Sequence, residues 1–394
     1  KIVYNIGMKN THLEHLEDEI LNAGTAGGFS VVSVLRSFGN MLTGSKSDLS
    51  VSTKWDGAPA IICGTDPVTG KFFVGTKSVF NKVTPKICYD DVDIDRFYQA
   101  EILRNKLKDC LKYLSQLNIK GIVQGDLLFS SGDKRYANIG GHRVITFNPN
   151  AITYAVSCKS SQGMAVEKAK IGIVFHTVYQ GSTIQDCKAV YKAPLFVGTE
   201  DIFIPNANFK DAQGISRFDN TQKIKYIATI NRAEGSLKRA SRFLDIMQSH
   251  GQSRFLMPIL FKQFFNQQIR TGKSILNTRR TVAQFAKFYS DRLDAEMNAK
   301  TSAKGKERYK QMKLEGLNFI ARYQNEIYFT FASYISIRDA KRMVIAQLNK
   351  VGQIRTYIGS TPTTPEGYVV STNNYAIKFV DDDFRKANIL FGIQ

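Results

Sequence analysis

The chain has 394 residues and carries 54 Lys+Arg against 34 Asp+Glu, a formal charge of +20. It is too long for one small core and too short for more than about three domains, and 43% hydrophobic residues exclude wholesale disorder. The charge points to a polyanionic partner, nucleic acid being the usual one, with a solubilising surface as the plainer reading. No run of about 18 apolar residues occurs, so no membrane-spanning helix and no membrane partner are expected. Lys1 to Asn10 lacks the apolar stretch of a secretory signal. Cys63, Cys88, Cys110, Cys158 and Cys187 are scattered and form no C-x-x-C. They make neither a disulfide framework nor a zinc site, which suits a reducing, cytoplasmic setting. A monomer is expected.

In chain order, helices are predicted at Leu13–Asn22, Val31–Leu42 and Asp95–Leu117. Short β-rich runs bounded by Gly, Asp, Asn and Pro predict strands at Leu49–Lys54, Ala60–Cys63, Lys71–Thr76 and Gly121–Phe129. Further strands are predicted at Arg143–Phe147, Ala151–Ser157 and Lys170–Tyr179. Residues 221–350 read differently. They hold 25 Lys+Arg and 9 Asp+Glu, a net +16, while the rest of the chain nets only +4. They contain a single proline, Pro258, and a helical stripe of Val282, Phe285, Phe288, Tyr289 and Leu293, with another from Ile327 to Leu348. Four to six basic helices are expected there. Strands return at Glu366–Ser371 and Tyr375–Phe379. The predicted organisation is α+β. A core from 1–220 and 351–394, built of antiparallel sheets with helices, is interrupted by an all-α domain at 221–350.

Six short motifs follow one another. Ser52-Thr53-Lys54-Trp55-Asp56-Gly57 ends the first strand, and Gly75-Thr76-Lys77-Ser78 ends a later one. Gln124-Gly125-Asp126-Leu127 and Ile173-Val174-Phe175-His176 lie in apolar strands. Glu366-Gly367-Tyr368-Val369-Val370 and Ala376-Ile377-Lys378-Phe379 come last. Each has a plain reading alone. Asp-Gly is a turn dipeptide, Glu366-Gly367 a hairpin signal, Phe175 a core residue and Lys378 a solvated strand residue. Trp55 either packs on a ligand pocket or fills core. His12 and His15 have metal spacing on a predicted helix, though a solvated face is the simpler account. His142 and His176 receive no catalytic role.

As an ordered set, the motifs resemble the covalent nucleotidyltransferase superfamily of polynucleotide ligases and mRNA-capping enzymes. His12-Leu13-Glu14-His15, Thr53 to Gly57 and Phe147-Asn148-Pro149-Asn150 narrow the likeness to a bacteriophage branch of ligase-like proteins. The resemblance implies ATP and Mg2+ (or Mn2+) as cofactors, and Lys54 as the nucleophile that becomes lysyl-AMP. Neighbouring Lys77 and Lys378 would depress the Lys54 amine and grip phosphates. Glu366 would serve catalysis and metal binding, and Asp126, where the family has glutamate, the ribose or metal. Phe175 would stack on the purine. Thr53 would line the nucleotide site, and Asp56 and Gly57 would shape the turn that presents Lys54.

Four departures accompany the likeness. Pro59 stands where ligases often have Arg or Asn, Lys77 where arginine is commoner, and Val380 where a second lysine is common. Only 16 residues follow Lys378, so no C-terminal OB barrel is expected. The basic helices are the expected replacement, with Arg279, Arg280, Lys304, Lys306, Arg308, Lys310 and Lys313 as the densest cluster contacting nucleic acid. A merely solvated bundle is the alternative. The expected function is an ATP-dependent ligase sealing 5′-phosphate/3′-hydroxyl breaks in DNA or RNA, acting on a nicked duplex or RNA ends, in the host cytoplasm if phage-encoded. The alternatives are a nucleic-acid-binding protein on a degenerate transferase core and a capping-type guanylyltransferase.

Overall fold

The computed structural model describes residues 15–45, 49–190, 194, 196–205, 214–249, 256–273, 275–351, 355–358, 361–363, 366–371 and 376–380. His12 therefore lies outside the described residues. After a 3-10 turn at Leu16–Asp18 come α1 (Glu19–Asn22) and α2 (Gly24–Leu42). The strands β1 (Ser50–Lys54), β2 (Ala60–Thr65) and β3 (Phe72–Gly75) match their predicted positions. The single helix expected at Asp95–Leu117 is two, α3 (Asp91–Phe97) and α4 (Glu101–Leu114). Asp90 caps the first of these by accepting the Asp93 N–H, so it begins before its apolar residues do.

Next come β4 (Ile122–Ser130), β5 (Arg135–Ile139), β6 (His142–Phe147) and β7 (Thr153–Ser157). They are followed by α5 (Ser161–Lys168), β8 (Ile171–Gln180), β9 (Lys188–Val190) and β10 (Ile202–Phe203). The basic block forms α6 (Asn220–Ser249), α7 (Met257–Arg270), α8 (Arg279–Asn298), α9 (Ala303–Arg322) and α10 (Gln324–Leu348). The chain then returns through β11 (Arg355–Ile358), β12 (Thr361–Thr363), β13 (Gly367–Ser371) and β14 (Ala376–Val380).

Two units result. One comprises Ser50–Ala212, Val351–Ala376 and Phe391–Gln394. Its larger sheet runs β10-β8-β4-β2-β3, with β9 on β8, and is antiparallel apart from β10–β8. Alternation sends Ile61, Cys63, Val123, Ile171, Ile173 and Phe175 to one face, where they pack with Leu107, Cys110 and Leu114 of α4. A second, antiparallel sheet runs β12-β11-β7-β6-β5, and β1 pairs antiparallel with β13. The fold class is α+β, and among the described residues no barrel forms.

The other unit comprises Lys1–Leu49, Gln213–Lys350 and Ile377–Leu390. Among the described residues, 15–45 and 377–380, expected with the sheets, thus group with the helices. Apolar contacts and one buried ion pair decide it. The Tyr226 hydroxyl on α6 donates to the Leu35 carbonyl on α2 at 2.7 Å, and Phe38 packs on Phe379 with ring centroids 5.0 Å apart. Glu17 accepts from the Lys341 ammonium of α10 through both oxygens, at 2.7 and 2.9 Å, and both side chains are fully buried. The aromatic stripe predicted along α8 also turns inward. Phe261 stacks on Phe285 at 3.9 Å and Phe265 on Tyr334 at 3.8 Å. The stripe residues thus contribute to the core.

A buried pair tolerates loss of both charges better than loss of one. Glu17→Leu or Lys341→Met alone is expected to cost about 3–5 kcal/mol in urea unfolding, and the double variant to recover most of it. Additive losses in the double variant would count against this account.

Candidate functional site

The Lys54 end of the site follows from strand register. β1 pairs with β13 so that Thr53 faces Tyr368 and Lys54 faces Gly367. Glu366, one residue earlier, therefore comes beside Lys54, and the Lys54 ammonium donates to Glu366 Oε2. These two residues are 312 positions apart in sequence. Gly367 has φ +149°, a region open essentially to glycine, which lets the chain turn from Glu366 into the strand. Burial pushes the Glu366 carboxyl above its ordinary value. The Lys54 ammonium opposes that shift, and the negative charges of Asp56 and Asp126 add to it.

Asp56, expected among the catalytic residues, is instead occupied in holding backbone. It is buried, and its Oδ1 accepts from Asn150 Nδ2 at 2.8 Å. Its Oδ2 accepts from the Ala151 and Ile152 N–H groups at 2.8 and 2.9 Å. Its own N–H donates to the Tyr154 hydroxyl at 2.7 Å. Burial raises that tyrosine well above the ordinary phenol range, keeping it protonated. Asp56 is thus a positioning residue that ties the end of β1 to the β6–β7 turn. Gly57 serves the same end, because a Cβ there would sit 2.6 Å from Asp126 Cβ. Only glycine lets this turn lie so close to β4.

Asp126 stands on the face of the larger sheet opposite α4, and its charge reaches Glu366. Phe175 does not share that face. It is 2% exposed, belongs to the α4-side core and meets Phe196 edge-on at 5.0 Å. The expected purine stacking is therefore corrected: a ring covered on all sides offers no face to a base. The period-two alternation of β8 puts His176 on the Asp126 side. His176 Nε2 lies 3.4 Å from Asp126 Oδ1 and has no hydrogen bond, while Nδ1 is 2.8 Å from Thr177 Oγ1. His176 was given no role by the sequence. The misleading signal was the aromatic one position earlier.

The remaining expected residues fall as follows. Thr53 is half-buried in β1. Trp55 is buried and packs on Tyr154 with ring centroids 4.8 Å apart, so its core reading holds. Lys77 is exposed at the start of a 3-10 turn after β3 and makes no ion pair among the described residues. Lys378 is half-buried, and its backbone forms an isolated parallel β-bridge with His15. The ion-pair partner of Lys54 is the Glu366 carboxylate. Among the described residues no three His, Cys, Asp or Glu side chains form a metal-holding group.

The expected basic cluster does not form one patch. α8 and α9 run antiparallel, as Lys313–Asp294 (2.6 Å) and Lys300 over the Tyr309 ring (5.2 Å) show. Arg279 and Arg280 begin α8, while Lys304, Lys306, Arg308 and Lys310 begin α9, at the opposite end of the hairpin. The 20 residues of α8 separate them by about 30 Å. Lys313 is engaged by Asp294.

Residues 10–391 match the profile of a family described as a family of unknown function (DUF6267), and the chain belongs to it. No curated protein and no solved structure matches the chain. No helix among the described residues is long and apolar enough to cross a membrane.

Asp56→Ala leaves two N–H donors of the β6–β7 turn, one buried and one half-buried, without their acceptor. It is expected to cost on the order of 3 kcal/mol in urea unfolding, and Asp56→Asn less, because one acceptor remains. Equal, negligible effects would show that the turn does not depend on this carboxylate.

Proposed function

We propose that the chain is an ATP-dependent polynucleotide ligase that works through a lysyl-AMP at Lys54. The observation that carries this reading is the Lys54–Glu366 pair in a site that also gathers the charges of Asp56 and Asp126. Motif residues scattered over more than 300 positions converge there. An ammonium has no lone pair, so Lys54 must lose a proton before it attacks. Glu366 touches that ammonium, and burial makes its carboxylate a better base than a solvated glutamate.

In the first step Glu366 takes one proton from the Lys54 ammonium, the freed nitrogen lone pair bonds to the α-phosphorus of ATP, and pyrophosphate leaves with the electron pair of the broken P–O bond and takes up the second proton from the nitrogen. A 5′-phosphate oxygen then takes the AMP and frees Lys54, and a 3′-hydroxyl displaces AMP to form the phosphodiester. Mg2+ typically binds through one or two carboxylates plus substrate phosphates. Asp126 and Glu366 are hard oxygen donors of that kind, so they are the residues that would hold Mg2+ or Mn2+. Such an ion supplies charge compensation to the phosphates. Asp56 has its acceptor sites filled by N–H donors and holds the turn instead.

The test is transfer of label from α-labelled ATP to the protein, with expected loss of at least a thousandfold in Lys54→Ala. Labelling should fall as the pH drops through the raised Glu366 value, because the ionised carboxylate is the base. Glu366→Gln should slow labelling and remove that acidic limb. A limb unchanged in Glu366→Gln would take the base role away from this residue. The buried Phe175 favours one second reading, a nucleic-acid-binding protein on a transferase-like core without nucleotide chemistry. Absence of labelling from ATP and GTP with either metal selects it. Labelling from GTP alone selects a capping-type guanylyltransferase.

A further inference from the structure

Part of the helical unit's surface charge is paired. Arg36 meets Glu234 at 2.6 Å, Lys313 meets Asp294 at 2.6 Å and Lys287 meets Asp291 at 2.9 Å. Among the basic residues without such a partner, Arg232, Arg239 and Arg279 are distinguished by their place. All three are exposed and make no ion pair among the described residues, and all three line one trough.

The trough consists of two adjacent cavities of about 400 and 740 Å3 that share Asn277. Helical spacing aligns its walls. Arg232, Ser236 and Arg239 lie on one face of α6, and Tyr328, Ser336 and Asp339 on one face of α10. The α10 stripe continues to Asn325, so at 1.5 Å per residue the trough runs about 20 Å. A Cβ at Gly235 would meet nothing within 4 Å, so the α6 wall leaves open space. The one acid in the lining, Asp339, has Arg338 at 3.6 Å. The guanidinium of Arg239 rests 5.0 Å over the Phe329 ring, which holds it in place without neutralising it.

We propose that this trough is the polynucleotide site of the helical unit, taking the sugar-phosphate backbone of a single strand along its arginines and a base on Tyr328. Guanidinium forks match phosphate oxygens. An aromatic ring beside a basic groove is the arrangement on which bases stack without regard to sequence. The length exceeds that of a single phosphate or nucleotide. The Asn and Ser lining suits a polar strand better than the apolar face of a peptide helix. The proposal shares with the proposed function only the polynucleotide substrate, so label transfer to Lys54 is read separately.

The test uses the full chain and a fluorescein-labelled 20-nucleotide oligothymidylate, titrated by fluorescence anisotropy at several salt concentrations. R232E/R239E/R279E should lose at least tenfold in affinity. R232Q/R239Q/R279Q, milder for folding, should lower the slope of log K against log salt by about 2. Y328A should weaken binding about tenfold with the slope unchanged. K223E/K225E/K287E makes the same charge change outside the trough and should lose less than threefold. Equal losses in the two reversed sets would reduce the effect to diffuse attraction and overturn the proposal. So would failure of the wild-type chain to bind the strand, or tighter binding of a polyglutamate peptide of equal length. Label transfer should persist in every trough variant. Its absence in the wild-type chain, with strand binding intact, would count against the ligase reading alone.

Discussion

The candidate site depends on one buried carboxylate. Asp56 sits two residues after Lys54, where β1 ends, and every polar contact recorded for its side chain goes to residues 150–152. Burying a carboxylate is expensive unless donors replace water. Here two backbone N–H groups and one side-chain amide do so, with charge-assisted hydrogen bonds of ordinary length. The result is a fixed link between the end of β1 and the turn leading into β7. From that link Trp55 packs on Tyr154, Gly57 lies against Asp126, and the register of β1 on β13 brings Glu366 to Lys54.

Around this anchor, charge is arranged by function of place. Glu366 is nearly buried and has an ammonium for a partner. Burial and the neighbouring acids raise its proton affinity while Lys54 restrains the rise. Asp126 is more open and faces His176 across 3.4 Å. Carboxylates of similar chemistry thus occupy three different environments: one filled by donors, one paired with a cation, one beside an imidazole.

The helical unit solves a different problem. Many of its aromatic residues fill the interior, where stacked and edge-on rings bring together α7, α8 and α10. The basic residues are left to the surface. Lys341 is the exception, fully buried and satisfied by Glu17, and that pair is one of the ties that bring the segment before α1 into this unit. Net charge alone says only that the surface is basic. Which arginines remain uncompensated depends on which acids the helices bring within reach.

Local sequence pattern was enough to read the α+β class, the position of most strands around the motifs, the helical nature of residues 221–350 and their surplus charge. These features are local: alternation, helical spacing, turn residues and composition act over a few neighbours. Lys54, Asp126 and Glu366 could be named from motif order. That Phe175 would be buried and His176 would turn towards Asp126 was decided by which face of β8 met α4. That Asp56 would serve the β6–β7 turn was decided by a contact across 94 residues or more. The basic cluster looked continuous in sequence and came apart because α8 and α9 are antiparallel. Residues 15–45 joined the helices because a buried ion pair and the α2–α6 packing hold them there. Long-range packing sets these outcomes, since the cost of burying each charge or ring depends on partners that sequence neighbours do not supply.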